Sequence, residues 1–212
     1  MITNNKLKSY IENSILPEYE LNDKGHNLRH INNVLARAFE IAEKYDVDKN
    51  MLYTIVCFHD IACHINREKH EVLSAERLFA DDNLREFFTE EQMEIMRDAV
   101  IDHRSSLEYI PRNLYGKILS SADRKVDVDD YMLSSMGFHK NKEPGATDEE
   151  MIEHSYCHAI KKFGKNGYAV KKFYVEDEKY EKFLKELQDL IDDKPRFIDR
   201  AKIVLENLKK EF

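Results

Sequence analysis

The stretch TIVCFHDIA at positions 54–62 constrains this chain more than any other. Apolar side chains at Met51, Leu52, Ile55, Val56 and Phe58 recur densely enough to read as a buried helix. That helix ends in His59 and Asp60, and a folded core ordinarily wants neither. A carboxylate is expensive to bury unless it is paired or coordinates a metal. A metal ion is the simplest partner, because neutral imidazole and carboxylate are both good ligands.

The remainder of the chain is predicted to be helical as well. Six glycines, four prolines and little alternation of β-branched residues in 212 positions favour helix over strand. Helices are expected over 3–16, closed by Pro17, and over 27–45, where Ile31, Val34, Leu35, Ala38, Phe39, Ile41 and Ala42 form a wide apolar stripe. Others follow at 70–80, 90–103, 114–123, 126–138, 148–163, 178–191 and 197–208, the last after a stop at Pro195. Thr89 and Gln92 have the spacing of a capping box. Loops are expected at 18–25, 46–50, 63–69, 104–112 and 140–147. The length suits one all-α domain over 1–212, a helical bundle with its core at about 25–130 and a C-terminal helical extension at about 148–212.

A net charge of -8 argues against a general nucleic-acid binder, which usually carries a basic stripe. It leaves room for a small phosphorylated substrate, since a local cationic pocket and a metal outweigh distant surface charge. Cys57, Cys63 and Cys157 are too few and too oddly spaced for a disulfide scaffold, and Cys57 reads as a buried thiol. The chain opens without a basic-plus-apolar leader and has no apolar span of about 20 residues, so a cytoplasmic protein without a membrane partner is expected. A homo-oligomer is compatible with this sequence, which does not fix the assembly.

Five places put a ligand-capable side chain at the end, or on the apolar side, of a core helix: His30, the His59-Asp60 pair, His70, His103 and Asp123. A lone histidine there is most often a hydrogen-bonded core residue. Five together suggest one point of convergence, which a bundle can build from separate helices. Scattered unpaired buried polar groups would be costly instead.

The order His30, His59-Asp60, Asp123 resembles the HD-domain metal-dependent phosphohydrolases. The runs IVCFHDI at 55–61, KHEVLSA at 69–75, IDHR at 101–104 and ILSSADR at 118–124 carry the likeness, which spans roughly 25–130. It is nearest to the small HD hydrolases. The resemblance implies an HD helical bundle that cleaves a phosphate ester or anhydride of a small phosphorylated metabolite, such as a nucleotide, by attack of a metal-activated water. It implies one or two divalent ions (Mn, Fe, Co, Ni, Zn or Mg), with His30, His59, Asp60 and Asp123 as ligands and His70 and His103 in the places of a second site. Asp60 would then bridge the ions. With a single ion, His70 and His103 would contact substrate or protonate the leaving oxygen.

Asp60, His70, His103, Arg104 and Arg124 form the candidate catalytic set. A guanidinium can grip phosphate bidentately, and Arg29, Arg67, Lys69 and Lys117 also lie close in sequence to a proposed ligand. His26 precedes His30 by one helical turn, His64 rivals His70, and Glu71 could orient a ligand histidine. Tyr109 or Tyr115 could stack on a base. His154 and His158 share the same spacing as His26 and His30, but no converging partner is evident, and His139 reads as exposed. Two other classes use similar residues: a ligand-sensing or structural module with one closed metal site, and a di-iron oxygenase.

Overall fold

The computed structural model describes residues 4–23 and 25–210. All regular elements among them are helical, and no helix is long and apolar enough to cross a membrane. The chain divides into two compact units, Met1–Asp123 with Tyr174–Glu176 and Arg124–Phe173 with Asp177–Phe212. The start expected for the extension, about residue 148, lies inside the second unit.

In the first unit, α1 (Asn5–Tyr10) runs into a π-helical turn (Ile11–Ile15) and a 3-10 helix (Leu16–Leu21). Then come α2 (Leu28–Ala42), α3 (Lys49–Phe58), α4 (His70–Phe79), a 3-10 turn (Asp82–Glu86), α5 (Glu90–Ile101) and α6 (Leu114–Ala122). Every residue of α3 from Met51 to Phe58 is buried, and this helix packs against α2, α4, α5 and α6. A helix apolar on all sides can be satisfied only in such a central position. α5 and α6 approach closely at Gly116, where a Cβ would lie 3.3 Å from both Ala99 Cα and Pro111 Cβ.

Two prolines expected to stop helices instead open them. Pro17 stands in the first turn of the 3-10 helix, so the loop expected from residue 18 is helical as far as Leu21. Pro195 is the second residue of α10 (Lys194–Lys210). Proline costs nothing there, because the N–H it lacks has no intrahelical acceptor in a first turn. Thr3, the expected first helical residue, and Lys24 in the expected loop lie outside the described residues.

The second unit holds α7 (Val128–Lys142), α8 (Asp148–Phe163), α9 (Glu178–Ile191) and α10, packed around Tyr131, Phe163, Tyr180, Phe183 and Phe197. α7 runs four residues past its expected end at 138. His139, Lys140 and Lys142 occupy its last turn, where positive charge favours the helix dipole. The Thr89–Gln92 capping box forms as expected, and Thr147 with Glu150 makes a second at the start of α8.

Candidate metal centre

Each candidate ligand stands at a helix end, where the backbone turn fixes its direction. Asn27 caps α2 by accepting the N–H groups of Arg29 and His30, which sets His30 in the first turn. His59 caps the C-terminus of α3, His70 opens α4, His103 follows α5 by two residues and Asp123 caps α6. His59, Asp60 and His103 are at most 2 % exposed.

Three histidines are oriented by one device. The Nδ1 of His59 lies 2.8 Å from the Val56 carbonyl, that of His70 2.9 Å from Arg67 O, and that of His103 2.6 Å from Val100 O. A carbonyl can only accept, so Nδ1 carries the proton and donates. That leaves Nε2 as the nitrogen each ring can offer to a metal once any proton on it is displaced, the arrangement a metal-ligating histidine uses.

The Nε2 atoms face Asp60 from two sides, those of His70 and His103 lying 3.3 Å from each other. Its Oδ1 lies 3.2 Å from His70 Nε2 and 3.5 Å from His103 Nε2. Its Oδ2 lies 3.4 Å from His30 Nε2 and 3.3 Å from His59 Nε2. Asp123 Oδ1 joins the second group, 3.1 Å from His30 Nε2 and 3.9 Å from His59 Nε2.

The Nε2 atoms of His30 and His59 are buried with no hydrogen-bond partner, despite these nearby oxygens. The oxygens lie off the line a ring N–H would take, so proximity does not become a hydrogen bond. Buried orphan nitrogens are costly, and a cation shared with the carboxylates would remove that cost. The donor set of imidazole nitrogen and carboxylate oxygen therefore fits a divalent ion.

Charge follows from the same packing. Burial pulls the His59 imidazole down, but Asp60 and Asp123 outweigh it and hold it well above its ordinary value. His30 is raised against the same opposition of burial by Asp123 and Asp60, and His70 by Asp60. Burial pushes the Asp60 and Asp123 carboxyls up, yet the facing histidines carry both well below the usual carboxylate range.

Three contributors were not legible as site residues. The buried Cys63 shares a cluster of ligand atoms with Asp60 and His70, and burial with Asp60 beside it drives its thiol upward. Its place three residues after Asp60 was the available signal. Tyr19, wholly buried, accepts from the Asp60 N–H and donates to Cys57 O at 3.0 Å, which pins the turn carrying the His-Asp pair. Asn22 donates to Asp60 O at 2.9 Å and to His26 O at 3.1 Å. Tyr19→Phe is expected to cost about 1–3 kcal/mol by leaving buried partners unmet; urea unfolding would measure it, and an unchanged midpoint would refute the pinning role.

Other candidates lie around this cluster. Arg104 holds both Glu71 oxygens, at 3.1 and 3.2 Å, and donates to Glu68 O. Glu71 also lies 3.6 Å from His70 Nδ1. The His26 ring is 5.7 Å from that of His30, and Asp23 and Arg67 both contact its Nδ1. His64 turns to Asn22. The Tyr109 hydroxyl donates to the buried Asp102, which also binds Arg112 and so ties down the loop after His103. The Tyr115 hydroxyl accepts from the Asp48 N–H at the start of α3. Arg124 donates to Lys172 O and lies over the Tyr180 ring, 4.8 Å from its centre.

Residues 27–128 match the HD domain family, a span that includes all six His and Asp positions of the cluster. The chain carries an HD domain. With the clustered ligand atoms, the match identifies a metal-binding hydrolytic site of the HD phosphohydrolase type, for a divalent ion of unspecified identity. No curated protein and no solved structure matches the chain.

Proposed function

We propose that the HD domain hydrolyses a phosphate ester or anhydride of a small phosphorylated metabolite, a nucleotide foremost, in the cytoplasm. The observation that carries this reading is the Asp60 carboxylate, whose two oxygens face different histidine pairs. His30, His59 and Asp123 would hold one ion, His70 and His103 a second, and Asp60 would bridge them. Such an ion supplies Lewis acidity, lowering the pKa of water and offsetting charge on phosphoryl oxygens.

The chain's own groups do the rest. The carbonyls of Val56, Arg67 and Val100 hold the ligand rings in one orientation, so the rings need not turn when the ligands are engaged. Glu71 holds the Arg104 guanidinium beside His70, where it can exchange its carboxylate partner for a substrate phosphate. Its side chain is 35 % exposed, which leaves it open to that exchange. Arg124, the other arginine of the candidate catalytic set, donates to Lys172 O and lies over the Tyr180 ring.

A panel of nucleotides and sugar phosphates assayed with Mn, Fe, Co, Ni, Zn and Mg tests the proposal. Metal-dependent release of phosphate or pyrophosphate, lost in His59→Ala, is the expected result. Full activity in that variant would overturn it. Arg104→Met is expected to raise KM by roughly tenfold, about 1.4 kcal/mol of substrate binding, with metal content unchanged. An unaltered KM would remove Arg104 from phosphate recognition.

A further inference from the structure

The second unit contains a group of metal-ligating side chains that the HD domain does not use. His139 in the last turn of α7 and His154 on α8 stack with ring centres 4.3 Å apart and planes 15° from parallel. They line an open cleft of about 720 Å³ together with Cys157, Glu143, Glu150 and Glu153. The extension of α7 past residue 138 is what brings His139 there. His154 thereby gains a stacked neighbour from another helix, which its spacing from His158 did not suggest.

Partners sort these side chains. His158 faces inward: its Nδ1 lies 2.9 Å from the Tyr131 hydroxyl and its ring stacks on Tyr131. Glu150 is committed to its capping box, and Glu153 accepts from Lys194 Nζ at 2.8 Å. The nearby ammonium groups are engaged too, Lys140 with Ala146 O and Lys142 over the Phe138 ring. His139 and His154 make no hydrogen bond through their ring nitrogens among the described residues. Cys157 is exposed and stands three residues after His154, on the same face of α8, with its thiol donating only a long 3.8 Å contact to Glu153 Oε1.

We propose that this cleft is a second metal site, which binds a transition-type divalent cation through His139, His154 and Cys157. Imidazole and thiolate favour zinc, cobalt, nickel or copper over magnesium or calcium. The Cys157 thiol gives up its proton to solvent when the bond to the ion forms. Both rings are partly exposed, so one can turn about χ2 to aim its nitrogen at the ion without disturbing the core. Glu143 adds negative charge at the rim, which concentrates cations. The bound ion would clamp α7 to α8, so its presence should register in stability as well as in stoichiometry.

Cobalt titration of the full-length protein without a histidine tag tests the site. The wild type is expected to bind one more Co²⁺ than H139A/H154A, with a sulfur-to-cobalt absorption that C157S lacks. Zinc should raise the melting temperature of the wild type more than that of the double variant. Turnover at the HD domain should be the same in both. Equal cobalt stoichiometry and equal zinc stabilisation in wild type and H139A/H154A would overturn the proposal, as would a sulfur absorption unchanged in C157S. His139→Gln alone provides the same comparison if the double variant folds poorly.

Discussion

Asp60→Asn is expected to lower kcat/KM by more than about 100-fold, beyond the 10–100-fold typical of residues that only orient a ligand. The asparagine side chain has the same shape, so packing around the buried position survives while the charge is lost. Four imidazole nitrogens face that charge within 3.5 Å, two on each oxygen, so both halves of the centre should lose metal together. Elemental analysis beside circular dichroism would separate this outcome from unfolding. A folded variant with normal metal content and turnover would remove Asp60 from the centre.

Removing the metal should destabilise the protein, and the size of the effect should depend on pH. At a free ion concentration a hundred times Kd, binding adds about 2.7 kcal/mol, or roughly 5–11 °C in melting temperature for a chain of this size. In the metal-free protein, His30, His59 and His70 are raised above 6.5. Their contribution is complete below 6.5 and is lost as pH climbs through the raised values. Asp60 and Asp123 are depressed below 3.8, so their contribution is present above 3.8 and is lost as pH falls through the lowered values. Metal-free protein should therefore be most stable between those limits and melt lower as pH rises past 6.5. An ion must displace the imidazole protons, so its stabilisation should grow over the same range. Scanning calorimetry with and without chelator, from pH 6 upward, would show the two curves diverging. Parallel curves would contradict the charge coupling around Asp60.

The buried helix ending in His59-Asp60 was legible because a continuous apolar run closed by two polar groups has few other solutions. The other candidate ligands stand out for a related reason: each interrupts or terminates an apolar stripe. Tyr19 and Asn22 are not legible in this way, since their roles depend on a segment whose proline opens a 3-10 helix rather than ending one. The stacking of His139 on His154 is not legible, because the length of α7 rests on its basic last turn, not on apolar periodicity. The pairing of Arg104 with Glu71 crosses between α4 and the loop after α5, and no local pattern encodes such a contact. Helix identity is local chemistry, whereas the partner of a surface arginine is decided by packing.

The bridged centre is tested most directly by elemental analysis of reconstituted, tag-free H139A/H154A protein, in which the α7–α8 cleft cannot contribute. A content of about two ions per chain, falling to about one when His70→Ala and His103→Ala are added, is the expected result for an Asp60-bridged pair. A content of one ion or none that those two substitutions leave unchanged would contradict it.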